Sequence, residues 1–198
     1  PNEQTLLQLA ALSDRHDLGM AEQVFARIKS THGVTPSLAL SRAIDTLKEG
    51  DRAAAMQVLD EAGAQAEGDD VNWRLARAQI KTLAGDSDAT DFWKQLATEH
   101  EENLRVQRLA LESPAAKNDR EFAAEAIERI KDLTTERGVS WRIARARWLL
   151  SGEANDSDLA SCVMLLNDVI RQAPRMIDPR LLLADCLLRL EDREGAIE

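Results

Sequence analysis

A repeated heptamer constrains the fold of this chain more than any other feature. Asn72-Trp73-Arg74-Leu75-Ala76-Arg77-Ala78 recurs as Ser140-Trp141-Arg142-Ile143-Ala144-Arg145-Ala146, 68 residues further on. A degenerate copy, Asn103-Leu104-Arg105-Val106-Gln107-Arg108-Leu109, lies between them. Ser37-Leu38-Ala39-Leu40-Ser41-Arg42-Ala43 precedes them and Asp178-Pro179-Arg180-Leu181-Leu182-Leu183-Ala184 follows. Taking Ala43, Ala78, Leu109, Ala146 and Ala184 as equivalent gives steps of 35, 31, 37 and 38 residues. Periods of this size mark repeat arrays, whose units bury their apolar faces only by stacking on one another.

The spacing predicts that each copy opens a helix and that a second amphipathic helix follows after a turn. The first helices read Asn2–Ser13, Pro36–Glu49, Val71–Ala84, Asn103–Glu112, Val139–Ser151 and Asp178–Leu190. Their partners read Leu18–Thr31, Asp51–Glu67, Asp86–Glu101, Asp119–Arg137, Asp156–Ala173 and Asp192 onward. Gly50-Asp51 and Gly85-Asp86 punctuate two of the turns, because Gly accepts the left-handed conformation that ends a helix and Asp caps the next one. Longer linkers are expected around Ser113–Asn118 and Gly152–Ser157. Tyr is absent and Phe scarce, while Ala, Leu, Arg, Asp and Glu abound, so little strand-forming material remains. The expected class is all-α.

In the second helices the apolar residues fall on one face, as in Ala55, Val58, Leu59 and Ala62 or Ala123, Ile127 and Ile130. Phe25, Leu59 and Leu166 are expected to fill the gaps between helices that small Ala residues bring close. The first helices carry two apolar rows. In Val71–Ala84 these are Trp73, Ala76, Ile80 and Leu83, and beside them Leu75, Ala78 and Thr82. A helix buried on two sides is sandwiched between neighbours, as in a solenoid.

On these residues the chain resembles the tetratricopeptide family of helix-turn-helix repeats. The last unit matches it best, with Pro174 where the preceding repeat would close, Asp178-Pro179 opening, Leu183-Ala184 and Leu187 as the buried pattern, and Glu191–Glu198 as turn and second helix. Ala21 with Phe25, and Ala55 with Leu59, sit at the family's second-helix spacing. The resemblance implies a single right-handed α-solenoid of five to six hairpins over residues 1–198, acting as a scaffold that holds a peptide or protein segment in a concave groove. It implies no catalysis and no cofactor. Leu40, Ile44 and Leu75 stand where the family's carboxylate-clamp members carry polar residues, which disfavours chaperone tails as ligands. A structural spacer within a large bacterial repeat protein of envelope or exopolysaccharide assembly is the competing expectation. Pro1 in place of Met, and a helical pattern running to Glu198, read as the limits of a segment cut from a longer protein, with exposed solenoid ends that favour self-association.

Charge refines the expected partner. The chain carries a net charge of −10, which argues against nucleic acid, whose affinity rests on Lys and Arg neutralising phosphate. No apolar run is long enough for membrane insertion. The charges are unevenly placed: Val71–Ala84 carries +3 and Asp86–Glu102 carries −5, while Val139–Ser151 has three arginines and no acid. Arg74, Arg77 and Lys81 share one helix face, and Arg105 with Arg108 and Arg142 with Arg145 repeat the spacing. In a solenoid the first helices line the inner groove, so these seven cations form a candidate binding stripe for an acidic peptide. Pairing of the same cations with carboxylates of adjacent helices is the competing reading.

Other candidates are weaker. His16, His32 and His100 fall at helix ends, and His100 lacks the second His four residues on that a zinc helix requires. Ser87, Ser140 and Ser157 read as caps or turn residues. Trp73, Trp93, Trp141 and Trp148 read as core, with a binding-anchor role as the alternative. Cys162 and Cys186 lie in apolar helical patterns and read as buried free thiols, a disulfide between them staying open.

Overall fold

Side-chain caps set where the helices begin. Asn2, Thr35, Asn103, Asp119 and Asn155 each accept a hydrogen bond from a backbone N–H two or three residues on, at 2.8–3.2 Å, satisfying donors that the first helical turn leaves unpaired. Asp51 does the same for Ala54. Gly50 and Gly85 adopt φ of 93° and 69°, which lets the chain leave one helix and turn into the next. The computed structural model describes residues 2–64, 71–135, 138–152 and 154–190, and among these every regular element is an α-helix.

The helices are α1 (Glu3–Arg15), α2 (Ala21–His32), α3 (Pro36–Lys48), α4 (Arg52–Ala64), α5 (Val71–Ala84), α6 (Ala89–Glu99), α7 (Leu104–Glu112), α8 (Pro114–Asn118), α9 (Arg120–Thr134), α10 (Val139–Ser151), α11 (Asp156–Gln172) and α12 (Asp178–Arg189). All six expected first helices and five of their partners are present. The partner expected from Asp192 onward lies outside the described residues. The linker expected around Ser113–Asn118 is instead the short helix α8, opened by Pro114 and anchored by the buried Ala115 and Ala116. Ser140 and Ser157 lie inside the first turns of α10 and α11 rather than capping them, Gly138 and Asn155 being the N-caps.

The helices gather into two compact units, Pro1–Asp88 and Ala89–Glu198. In the first, α1 packs on α2 and α3 on α4, while α5 lies against both α3 and α4. Leu6, Ala10, Val24, Phe25, Ile28 and Leu38 form one core, and Ala39, Ala43, Ala55, Leu59, Trp73, Ala76 and Ile80 the next. Truncating a side chain as enclosed as Leu59 to Ala costs roughly 2–5 kcal/mol in such settings. Ser13 Oγ accepts from Met20 N at 2.9 Å and holds the α1–α2 turn. One expected core residue is exposed: Leu83 is 58 % accessible, and Ala84 takes the buried place instead. At 100° per residue, the position four beyond Ile80 stays nearer the buried row than the position three beyond it.

In the second unit, α7 packs on α9 and α10 on α11, with α9 against α10 and α12 against both α10 and α11. Ala110, Ala123, Ala126 and Ala146 are fully enclosed, so backbones approach closely and Ile130 and Leu166 fill the remaining space. Besides Ser113, Gln107 is an exception to this apolar rule. It is 0 % exposed, and its Nε2 donates to Ala97 O (2.7 Å) and His100 O (3.0 Å), closing the C-terminal end of α6.

Candidate functional site

The Val139–Ser151 helix divides its residues between two surroundings. Ala146, Leu149 and Leu150 enter a core with Leu159, Cys162, Leu166 and Cys186. Ser140, Ala144, Arg147, Trp148 and Ser151, spaced by three and four residues, face a groove of about 480 Å³. Leu111 and Arg108 of α7, Lys117 of α8, Met176 in the turn before α12 and Asp178 at its start complete its walls. The groove therefore lies entirely within the second unit and is bounded mainly by first helices.

Its floor is apolar and its rim charged. Leu111, Ile143, Ala144, Trp148 and Met176 supply the floor. Trp148 is held in place by an Nε1–H hydrogen bond to Ala116 O at 3.0 Å, and Arg120 lies 5.6 Å from its ring centre. Arg147 spans the groove, reaching Asp178 at 2.5 Å and Glu112 at 4.0 Å, so its charge is answered internally. Arg108 and Lys117 have no carboxylate partner among the described residues. The site thus presents two uncompensated cations beside an apolar floor.

The seven cations of the expected stripe fall in different settings. In the first unit, Arg77 pairs with Asp60 of α4 at 3.0 Å, and Lys81 pairs with Asp88 at 2.8 Å and Asp86 at 3.8 Å. Arg74 is half-buried and engaged. Lys81 also depresses the pKa of Asp88, chiefly through their hydrogen bond. In the second unit, Arg105 borders a shallow concavity with Glu99, Glu101 and Glu102. Arg142 lies 5.1 Å from the Trp141 ring centre, and Lys131 5.9 Å from it, so that ring is flanked by two cations. Arg145 is exposed but does not line the groove, and only Arg108 does. Lys117, Arg147 and Trp148 are the groove residues that the repeat pattern did not mark as a site. Lys117 was hidden because α8 read as linker, and Trp148 because it read as core.

The remaining candidates are placed simply. His16 caps the C-terminus of α1, His32 ends α2, and His100 follows α6. Trp73 and Trp93 are buried, whereas Trp141 and Trp148 are only half-buried. Among the described residues no group of three or more His, Cys, Asp and Glu is arranged to hold a metal ion, and no helix is long and apolar enough to cross a membrane. A second concavity, of about 510 Å³ between α2, α3 and α4, carries Glu22, Asp45, Glu49 and Glu61 against Lys29 and Arg42. Its Arg42 reaches Glu22 at 3.7 Å.

No protein-family model matches the sequence, and no curated protein matches it. Solved structures do. The crystal structure of a tetratricopeptide repeat protein from Parabacteroides merdae ATCC 43184 superposes with a TM-score of 0.63 at 16 % identity, covering 98 % of this chain and 75 % of that one. At that identity the likeness concerns architecture alone, and it shows that the chain has the fold of an α-solenoid built from tetratricopeptide-like helical hairpins.

Proposed function

We propose that this chain is a non-enzymatic protein-interaction module whose α7–α8–α10–α12 groove takes an extended peptide carrying carboxylates and one large apolar side chain. The observation that carries the reading is the pairing of an apolar floor with two uncompensated cations, Arg108 and Lys117. An apolar anchor on the floor supplies most of the affinity, since a few buried side chains dominate interface energetics. The two cations select acidic neighbours for that anchor, Arg108 through its planar fork and Lys117 as a point charge. Cations of the first unit, Arg77 and Lys81 in particular, already hold carboxylates of their own chain and serve the scaffold.

The test is a fluorescently labelled library of acidic peptides, each with a single Leu, Phe or Trp, screened by anisotropy. Arg108→Gln and Lys117→Gln each weaken the selected peptides by roughly tenfold, equivalent to about 1.4 kcal/mol. Ala144→Glu, which puts a carboxylate on the groove floor, abolishes binding while the circular dichroism spectrum is unchanged. Undiminished binding by all three variants removes the groove as the site.

A further inference from the structure

Cys162 and Cys186 are the only cysteines of the chain, and the packing of α11 on α12 brings them together. Both are fully enclosed in one apolar cluster with Ala146, Leu159 and Leu166, and both are free thiols. They enter that cluster from two helices, α11 and α12, that pack directly on each other. Cys162 Sγ also lies 3.8 Å from Ala146 O. We propose that Cys162 and Cys186 are an oxidisable dithiol, which a small-molecule disulfide converts into a cross-link between α11 and α12.

A solitary buried cysteine is an inert small hydrophobe. Two thiols enclosed in one cluster by helices packed on each other differ, because the native packing already brings their side chains into the same small volume. The roles of the two sulfurs are unequal. Proximity to Cys186, and then burial, push the Cys162 thiol above its ordinary range, while proximity to Cys162 holds Cys186 below it. Cys186 is therefore the first to ionise. With oxidised glutathione as the oxidant, the Cys186 thiolate attacks one sulfur and expels glutathione thiolate, leaving a mixed disulfide. Cys162 then loses its proton and attacks the Cys186 sulfur, expelling the second glutathione. Two protein thiols are oxidised, the glutathione disulfide is reduced, and the two protons end on the released thiols.

Access comes through α12. Among the described helices it packs on α10 and α11, and its Leu181 and Leu188 are exposed. Local opening of a single helix costs less free energy than unfolding of the whole unit. That opening admits the oxidant, and reclosure sets the two sulfurs against each other.

The experiment uses the full chain, reduced and then incubated with excess oxidised glutathione in native buffer. Remaining thiols are alkylated after denaturation and mapped by mass spectrometry. Neither cysteine is alkylated, the peptides holding Cys162 and Cys186 are joined within one chain, and Cys162→Ser or Cys186→Ser abolishes the cross-link. Because the bond closes a loop of about two dozen residues, the oxidised chain melts roughly 5 °C or more above the reduced one. The proposal is overturned if both thiols stay alkylatable while the same reagent joins them in urea-unfolded chain. It is equally overturned if the cross-link forms but lowers the melting temperature, since the native packing would then not accept it.

Discussion

Replacing Gln107 by Glu keeps the shape of a fully enclosed side chain and reverses what it offers its neighbours. Gln107 Nε2 donates to Ala97 O at 2.7 Å and His100 O at 3.0 Å, and two acceptors can be met only by the amide's donor end. Its Oε1 has no partner among the described residues. A carboxylate in this place directs oxygen at both carbonyls. His100 O keeps the Asn103 N–H at 3.0 Å, but the side-chain donor to Ala97 O is lost outright. Two hydrogen bonds worth about 1 kcal/mol each disappear, and leaving a buried acceptor unmet adds about 1–3 kcal/mol. A total of about 3 kcal/mol or more corresponds, at 2–4 °C per kcal/mol for a chain of this size, to a fall in melting temperature of roughly 6–12 °C at pH 7. The sign with pH follows from burial, which raises the Glu pKa in the folded state above its unfolded value near 4.3. The penalty is therefore smallest below that unfolded value, where the protonated acid donates one hydrogen bond, and grows as pH rises through the folded pKa. Thermal unfolding followed at 222 nm, variant against parent at pH 4 and pH 7, measures both effects. A Gln107→Glu chain that melts within a degree or two of the parent at pH 7 would refute the reasoning.

Two further outcomes follow from the second unit. The hydrogen bond from Lys94 and those from the backbone N–H of Phe122 and Glu121 hold the Asp119 pKa below its ordinary range. The resulting stabilisation is present above the unfolded pKa near 3.9 and is lost as pH falls through the depressed folded value. Asp119→Asn consequently flattens the loss of stability below about pH 4, read from urea midpoints across a pH series. Gly138 has an ordinary φ of −60°, but a Cβ there would stand 2.6 Å from Thr134 O and 2.8 Å from Thr135 O. Gly138→Ala therefore displaces backbone and costs about 1–3 kcal/mol, measured by chemical denaturation.

The six first helices were legible because they repeat the same apolar spacing, and Pro36–Lys48 and Val139–Ser151 match their expected bounds to within one residue. The short helix α8 was not, because Pro114, Ala115 and Ala116 are helical here by packing against α6, α7 and α9. Gln107 broke the apolar pattern for a reason lodged ten residues away, at a carbonyl ending another helix. The cation stripe was visible as composition and spacing. Which cations carry uncompensated charge was not, since Asp60 lies 17 residues from Arg77 and Asp178 lies 31 from Arg147.

By itself, then, the sequence determined an all-α repeat array, its hairpins and most of its core, because helix propensity, caps and a 3.6-residue period act within a few neighbouring residues. Tertiary structure alone decided that Arg147 is answered by Asp178 while Arg108 and Lys117 are not, that Trp148 faces a groove, and that Cys162 and Cys186 share one buried cluster. Those outcomes depend on the rotation and offset of one helix against the next, which is set by side chains meeting across the packing and by nothing local to either residue.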